Sequence, residues 1–233
     1  MLSIVIPQLN EAEGIVEHLQ ALQKWRPDVE LIVVDGGSVD NSVELARPLV
    51  DHIVVVEPGR AKQMNAGAQL ARGHYLLFLH ADTRLPDRLL ESLAGWRKRE
   101  ALWGFFRLRL SGDHWLLRWV ERGVNWRSKL TSVATGDQCL FVERQTLKQL
   151  GYFPVQPLME DVALSKILRR RARPLMDKQR VVSSSRRWER RGIVRTILLM
   201  WRLRLAYFLG ADAEALAERY YPGYKLASKF NHE

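Results

Sequence analysis

The sequence predicts an α/β protein with a mostly parallel central sheet that is flanked by helices. In the first hundred residues, short runs rich in β-branched residues alternate with amphipathic stretches, which is typical of β–α units. These runs are apolar almost throughout, as expected for strands that helices cover on both faces. The sequence places four strands at 2–7, 30–35, 52–57 and 74–80.

The stretches between these strands predict helices. Apolar residues recur at helical spacing over residues 12–24, and Asp40 is placed to cap a second helix over 40–50. A third helix is expected over 61–72.

Beyond residue 86, strands and helices no longer alternate strictly. Further strands or extended segments are expected at 103–111, 138–142 and 180–185. Helices are expected at 87–99, 114–130, 144–150, 159–171 and 190–209. The last of these is long, apolar and rich in arginine, and it predicts a C-terminal helical extension.

The composition is that of a globular protein, since 47% of the 233 residues are hydrophobic and 27% are charged. Cys139 is the only cysteine, which excludes an intrachain disulfide and a cysteine-based metal cluster. The net charge is +10, but residues 169–204 hold 13 Lys and Arg against only Asp177 and Glu189. The positive charge therefore belongs to the C-terminal third, and the rest of the chain is close to neutral.

Polar side chains follow three of the predicted parallel strands, whose carboxyl ends form the ligand-binding edge of such sheets. They are Asn10 and Glu11, then Asp35, Ser38 and Asp40, then His80 and Asp82. Because carboxylates repel one another, this group needs a compensating partner. The glycine-rich turns that bind dinucleotides or triphosphates are absent from the sequence. The remaining interpretation is a nucleotide that carboxylates hold at its base and ribose, with a metal ion on its phosphates.

Six motifs extend this pattern along the chain. They are PQLNE at 7–11, DGGSVD at 35–40, GRAKQMNAGAQLARG at 59–73, HADTRLP at 80–86, TGDQ at 135–138, and Glu160 with Asp161. Each alone also fits an ordinary turn or helix cap, but in this order the sequence resembles the family 2 glycosyltransferases over residues 2–165. The resemblance implies a GT-A fold with a Rossmann-like sheet, and a nucleotide-sugar-binding catalytic domain over 1–185. Residues 186–233 would then be a basic, amphipathic helical extension.

The resemblance also implies a donor site. Asp35 would accept a hydrogen bond from the nucleotide base, Pro7 and Glu11 would line the nucleoside pocket, and Asp40 would shape the loop. Arg60 and Lys62 would face the diphosphate.

A divalent cation, Mn²⁺ or Mg²⁺, is implied as the cofactor, with Asp82 as its ligand. The family commonly has D-x-D here, whereas this chain has His80-Ala81-Asp82. His80 is therefore a second candidate ligand, in the place of the family's first carboxylate.

For the reaction itself, the resemblance implies inversion with Asp161 as the general base and Glu160 as its neighbouring carboxylate. The residues implied on the acceptor side are Gly136, Asp137, Gln138, Arg187 and Trp188.

The sequence allows more than one binding partner for the predicted helix over 193–210. Arg195, Arg202 and Arg204 oppose a membrane-spanning helix, but an interfacial helix on an anionic membrane surface fits, as does packing on the catalytic domain or on a second copy in a homodimer. No recognisable nucleic-acid-binding motif accompanies the arginines, which disfavours nucleic acid as a partner.

The sequence therefore predicts an inverting, metal-assisted glycosyltransferase. It would move a sugar from a nucleotide diphosphate sugar to a hydroxyl acceptor, which is either lipid-linked or a small molecule. The expected location is the cytoplasm, with the inner membrane face as a peripheral site. The alternative is a non-catalytic membrane- or nucleic-acid-binding protein that retains the fold.

Overall fold

The computed structural model describes residues 1–220, with the side chain of Arg187 outside that description. This part of the chain contains eight strands: β1 Leu2–Gln8, β2 Val29–Asp35, β3 His52–Val55, β4 Tyr75–Phe78, β5 Thr83–Arg84, β6 Trp103–Leu110, β7 Leu140–Glu143 and β8 Leu175–Ser183. It also contains ten α-helices: α1 Ile15–Leu22, α2 Ser42–Ala46, α3 Arg60–Leu70, α4 Leu89–Lys98, α5 Trp115–Thr131, α6 Arg144–Gln149, α7 Glu160–Leu168, α8 Arg186–Arg191, α9 Ile193–Phe208 and α10 Ala213–Tyr220.

All eight strands belong to one sheet, in the order β3-β2-β1-β4-β7-β6-β8-β5. The first four in this order are parallel to one another. Strand β7 is antiparallel to both of its neighbours, β6 and β8 are parallel, and β5 is antiparallel to β8. The prediction of a mostly parallel sheet flanked by helices is confirmed.

The sheet is curled, and the short strand β5 shows why. In a flat sheet, β5 would lie four strand spacings from β4, about 19 Å away. The chain between Phe78 and Thr83 spans at most about 17 Å when fully extended. Yet Thr83 pairs with Ser183 at the far end of the strand order. The far end must therefore bend back towards the end of β4.

Apolar side chains fill both faces of the sheet. Along β1, Ile4 and Ile6 belong to one hydrophobic cluster with α1 and α4, and Val5 belongs to a second with α3, α6 and α7. Helix α3 lies close to the sheet because Gly67 has no side chain, and a Cβ at this position would overlap the side chain of Val5. This close packing carries the amino end of α3 to the carboxyl edge of the sheet.

The structure corrects several predicted elements. The helix expected over 190–209 is interrupted at Gly192, whose φ of +82° is a left-handed conformation that favours glycine. The extended piece expected at 180–185 is the second half of the longer strand β8. Strand β5 and helix α10 were not predicted. The predicted boundary between a catalytic domain and an extension at residue 185 remains a prediction. Residues 221–233, the last part of the predicted extension, lie outside the described residues.

Within residues 1–220, no helix combines the length and the apolar character that crossing a membrane requires.

Burial of His18 on α1 makes stability depend on pH. Burial lowers the pKa of its imidazole from the ordinary 6.5 to about 4. As the pH falls from 6.5 towards 4, the unfolded chain binds a proton that the folded chain does not. We therefore expect the free energy of unfolding to decrease by up to about 3 kcal/mol over this window.

The variant His18→Gln should lack this component of the pH dependence, measured as urea unfolding at pH values across the window. The matched control is His74→Gln, at an exposed position. Parallel profiles for the unmodified protein and His18→Gln would contradict this prediction.

Candidate active site

The loops that follow β1 and β2 are joined into one unit at the carboxyl edge of the sheet. Four hydrogen bonds connect them: Asn10 N to Ser38 Oγ at 2.8 Å, Val39 N to Asn10 Oδ1 at 2.9 Å, Glu11 N to Ser42 Oγ at 2.8 Å, and Ala12 N to Asp40 Oδ2 at 3.2 Å. Asp40 thus connects the two loops, and its predicted part in the nucleotide site remains a prediction. The Ser42 hydroxyl also donates to Asp40 and lowers the pKa of its carboxyl.

Asp35 is fully buried at the end of β2. Its Oδ1 accepts from the backbone N–H groups of Gly37 (2.8 Å) and Ser38 (2.7 Å), and its Oδ2 from Ser38 Oγ (2.5 Å) and Gln8 Nε2 (3.1 Å). These four donors order the turn, which Gly37 completes with a φ of +87°. A nucleotide base would have to compete with them, so the predicted base contact remains a prediction.

Carboxylates from three strand ends influence one another. Burial raises the pKa of Glu11, Asp82 and Asp40 raise it further by repulsion, and Arg186 of α8 lowers it. Pro7 lies near the end of β1, opposite Val34 of β2, and its predicted contact with the nucleoside remains a prediction. The first turn of α8 therefore supplies positive charge to the acidic loop pair.

A second group of side chains joins α3, the end of β4, the TGDQ turn and α7. Arg60 Nε lies 3.3 Å from Glu160 Oε1, and the Arg60 guanidinium also contacts the His80 ring at Nε2. His80 Nδ1 lies 3.5 Å from Asp137 Oδ1. A Cβ at Gly136 would overlap His80 and crowd Arg60. Four motifs that are distant in the sequence therefore meet at one place.

The carboxylates Glu160 and Asp161 begin α7, where the helix dipole favours negative charge. Glu160 is buried, and burial raises the pKa of its carboxyl, while Arg60 opposes the increase. Asp161 Oδ2 accepts from Gly136 N at 2.5 Å, and its Oδ1 accepts from Val162 N at 2.7 Å. The acid pair and the TGDQ turn are thus held in a fixed relation.

Gln138 holds the TGDQ turn in place through hydrogen bonds to the turn itself and to neighbouring elements. Thr135 and Gln138 form a capping box around the short 3₁₀ turn Gly136–Gln138. The buried Gln138 side chain accepts from Ser128 Oγ of α5 at 2.7 Å and donates to the Phe106 carbonyl at 3.4 Å. Gln138 positions the turn, and its predicted contact with the acceptor remains a prediction.

Two of the predicted residues have other contacts in the structure. Lys62 is exposed and forms an ion pair with Glu57 at 2.6 Å. Trp188 packs against the hydrophobic cluster of Leu108, Leu110 and Leu117. The side chain of Arg187 lies outside the described residues, so its predicted acceptor contact remains a prediction.

The sequence did not reveal Arg127, which lies on the inner side of α5. Burial lowers the pKa of its guanidinium, and the negative charges of Asp161 and Asp137 oppose the decrease. Its Nη2 donates to Ser128 Oγ at 2.9 Å, while its buried Nε has no hydrogen-bond partner among the described residues. Only the fold distinguishes this arginine from the exposed basic residues of α5.

Gln63 of α3 was also missed. Its buried Nε2 donates to the carbonyls of Gln8 (2.7 Å) and Val34 (2.8 Å), which ties α3 to the ends of β1 and β2. Gln63 lies within the GRAKQMN segment of the third motif, but the motif alone does not indicate what its side chain binds.

The residues present fit a divalent cation that arrives with a nucleotide. Asp82 is exposed, and its Oδ1 accepts a 3.3 Å bond from Thr83 Oγ1. No three His, Cys, Asp or Glu side chains within residues 1–220 are grouped as a complete metal site. Mg²⁺ and its analogues commonly take one or two carboxylates and complete their coordination with phosphate oxygens and water. His80 is engaged by Arg60 and Asp137, so Asp82 is the better candidate ligand.

Comparison with known proteins decides the family. The sequence profile described as "Glycosyl transferase family 2" matches residues 3–141. The chain belongs to glycosyl transferase family 2. The resemblance predicted from the six motifs is therefore confirmed.

One curated relative of this family 2 chain is a PGL/p-HBAD biosynthesis glycosyltransferase of Mycobacterium bovis. It is 37% identical over 95 residues, which are 37% of this chain and 37% of that protein. The chain thus spans less than two fifths of the length of this relative.

Solved structures confirm the GT-A fold. The mannosyltransferase PcManGT from Pyrobaculum calidifontis, in complex with GDP-Man and Mn²⁺, is 22% identical with a TM-score of 0.63. The alignment covers 88% of this chain and 60% of that chain. TarS of S. aureus in complex with UDP is 21% identical with a TM-score of 0.62, and the alignment covers 78% of this chain and 60% of TarS.

The contact of Gly136 with His80 and Arg60 gives a test of the assembled site. The variant Gly136→Ala should displace one of these side chains and lower glycosyltransferase activity about ten- to hundredfold, because small misplacements are costly in active sites. The matched control is Gly95→Ala on α4, where an added Cβ meets no atom within 4 Å. Equal turnover of the two variants would contradict the assigned geometry.

Proposed function

We propose that this chain is an inverting glycosyltransferase that moves a sugar from a nucleotide diphosphate sugar to a hydroxyl group. One observation carries the proposal: Arg60, His80, Gly136 and the pair Glu160–Asp161 meet at one place. The membership of family 2 and the sugar-nucleotide complex of PcManGT support it.

The donor would lie over the joined loops that follow β1 and β2. Pro7 and Glu11 would contact the nucleoside, and Asp35 would act chiefly through the turn that it orders. Arg60 would face the diphosphate. Because Arg60 also pairs with Glu160, its positive charge would separate the diphosphate from this buried carboxylate.

A bound Mn²⁺ or Mg²⁺ would stabilise the charge that develops on the leaving diphosphate. Asp82 would hold this ion through its exposed carboxylate, with the diphosphate oxygens as further ligands. Arg60 would place a second cation beside the same phosphates, with its guanidinium fixed by Glu160.

Asp161 would remove the proton of the acceptor hydroxyl as that oxygen attacks the anomeric carbon on the face opposite the diphosphate. Two backbone N–H groups, those of Gly136 and Val162, orient its carboxylate. Glu160 does not need to touch the acceptor in this scheme. It is a positioning residue that acts through Arg60.

The general base gives a direct test. The variant Asp161→Asn should lower turnover about 10²- to 10⁴-fold, since an amide cannot accept the proton, while donor affinity stays the same. Turnover would be followed as release of the nucleoside diphosphate, and donor affinity by calorimetry. The control is Asp87→Asn, at an exposed position paired with Lys24. Unchanged turnover in Asp161→Asn would refute this base. Donor binding without turnover in the unmodified protein, whatever the acceptor, would favour the non-catalytic alternative.

The metal gives an independent test. Nucleoside diphosphates should bind at least about tenfold more tightly with Mn²⁺ than with excess chelator, since the cation joins phosphate and carboxylate oxygens. The variant Asp82→Ala should lose most of this difference, and Asp113→Ala, at another exposed loop position, should retain it. Equal affinities with Mn²⁺ and with chelator would show that Asp82 serves another purpose.

A further inference from the structure

Helix α9 exposes an apolar stripe on its outer side. Val194, Leu198, Trp201, Leu205 and Phe208 are each between 55% and 77% exposed. At about 100° per residue, these five side chains fall within an arc of about 80°. The opposite side of α9 is buried in the protein through Thr196 and Leu203. The stripe is therefore not the side on which the protein packs α9.

Helix α5 has a second stripe of the same kind. Trp115, Trp119, Trp126 and Leu130 are between 61% and 68% exposed. They fall within an arc of about 60° on the helix. Three exposed tryptophans on one helix face are unusual for a surface that meets only water, because exposed apolar patches mark interaction sites.

The two stripes adjoin. Helix α9 packs against α5, and Ile193 at the start of α9 contacts the Leu117 cluster of α5. A cleft at the start of the two helices is lined by His114 and Leu116, by Glu189 of α8, and by Ile193 and Val194. Val194 begins the stripe of α9, and Trp115, which begins the stripe of α5, lies between His114 and Leu116 in the chain. We call these two stripes together the α5–α9 face.

Basic residues flank the α5–α9 face. Arg195 and Arg202 are exposed beside the stripe of α9, and Arg122 and Lys129 are exposed beside that of α5. The Arg122 guanidinium lies 5.4 Å from the ring centre of Trp119. Helix α9 contains no Asp or Glu.

The one carboxylate of α5 does not offset these charges on the outside. Glu121 is buried, lies 2.9 Å from Arg118 Nη1 and accepts from Leu110 N at 2.6 Å. Apart from Glu189 at the cleft, the charged residues beside the two stripes make the margin of the α5–α9 face cationic around an apolar centre.

We propose that the α5–α9 face docks on an anionic lipid bilayer. Tryptophan prefers the headgroup level of a membrane, and leucine and phenylalanine enter the acyl boundary to a depth of about 5–10 Å. The flanking arginines and lysine complement anionic headgroups. A second copy of the chain would instead bring like charges together at the margin of the interface, which opposes self-association.

The same two helices support the candidate active site from their inner sides. Ser128 of α5 bonds to Gln138, and Leu203 of α9 belongs to a hydrophobic cluster with Met159 and Val162, next to the acid pair. A helix is about 10 Å in diameter, so the docked face and the site would be separated by little more than one helix. The docking proposal nevertheless stands without the proposed reaction, because it rests only on the outer sides of α5 and α9.

Vesicle flotation tests this proposal on the full chain. Vesicles of phosphatidylcholine alone are compared with vesicles of equal parts phosphatidylcholine and phosphatidylglycerol. The variants Trp126→Glu and Trp201→Glu should each lower the partition coefficient for anionic vesicles at least about tenfold, because a charge replaces an interfacial anchor. The matched control Val155→Glu adds the same charge at an apolar side chain that is 67% exposed outside both stripes, and it should bind as the unmodified protein does.

Unchanged thermal melting and unchanged binding of a nucleoside diphosphate would show that the variants are folded. These two readouts also separate the docking proposal from the proposed reaction. Three results would overturn docking: no flotation with anionic vesicles, equal flotation with neutral vesicles, or loss of flotation in Val155→Glu to the same extent. A lipid-free dimer that Trp201→Glu converts to a monomer would also overturn it, because the face would then be a contact between copies.

Discussion

The ion pair between Arg60 and Glu160 is the constraint on which the candidate site depends. A buried carboxylate is costly unless a cation lies beside it, and Arg60 is that cation for Glu160. The pair also joins the parallel half of the sheet, through α3, to the second half, through α7. The same guanidinium contacts His80 at the end of β4 and lies beside Gly136 of the TGDQ turn. Arg60 therefore links the strand end, the acid pair and the turn.

The curled sheet makes this meeting possible. Strand β7 runs antiparallel to β4, so the turn before β7 lies at the carboxyl end of β4 and brings Gly136 to His80. The loops after β1 and β2 reach the same edge because their strands are parallel to β4. The directions of the strands thus bring these loops to the same edge of the sheet, where their side chains lie close enough to contact one another.

Strands and helices with strong periodic patterns could be predicted from the sequence, and the first four strands fall within a few residues of their expected positions. Strand β5 could not, because two residues carry no pattern and their pairing depends on Ser183, far along the chain. The site residues were foreseen as motifs, but not their mutual contacts. Nothing in the sequence shows that the Asp35 carboxylate accepts hydrogen bonds from the backbone of the turn that follows it, or that the Arg127 side chain points into the protein. Both facts depend on tertiary packing.

The end of β8 carries a consequence for shortened versions of this protein. The Asp82 carbonyl accepts from Ser184 N at 3.2 Å, and Arg186, two residues further, lowers the pKa of the Glu11 carboxyl through its positive charge. A truncation after residue 185 would keep the whole sheet but remove Arg186 and leave the tether to Asp82 at a free chain end. A minimal catalytic fragment should therefore retain α8, even though composition alone would assign that helix to the basic tail.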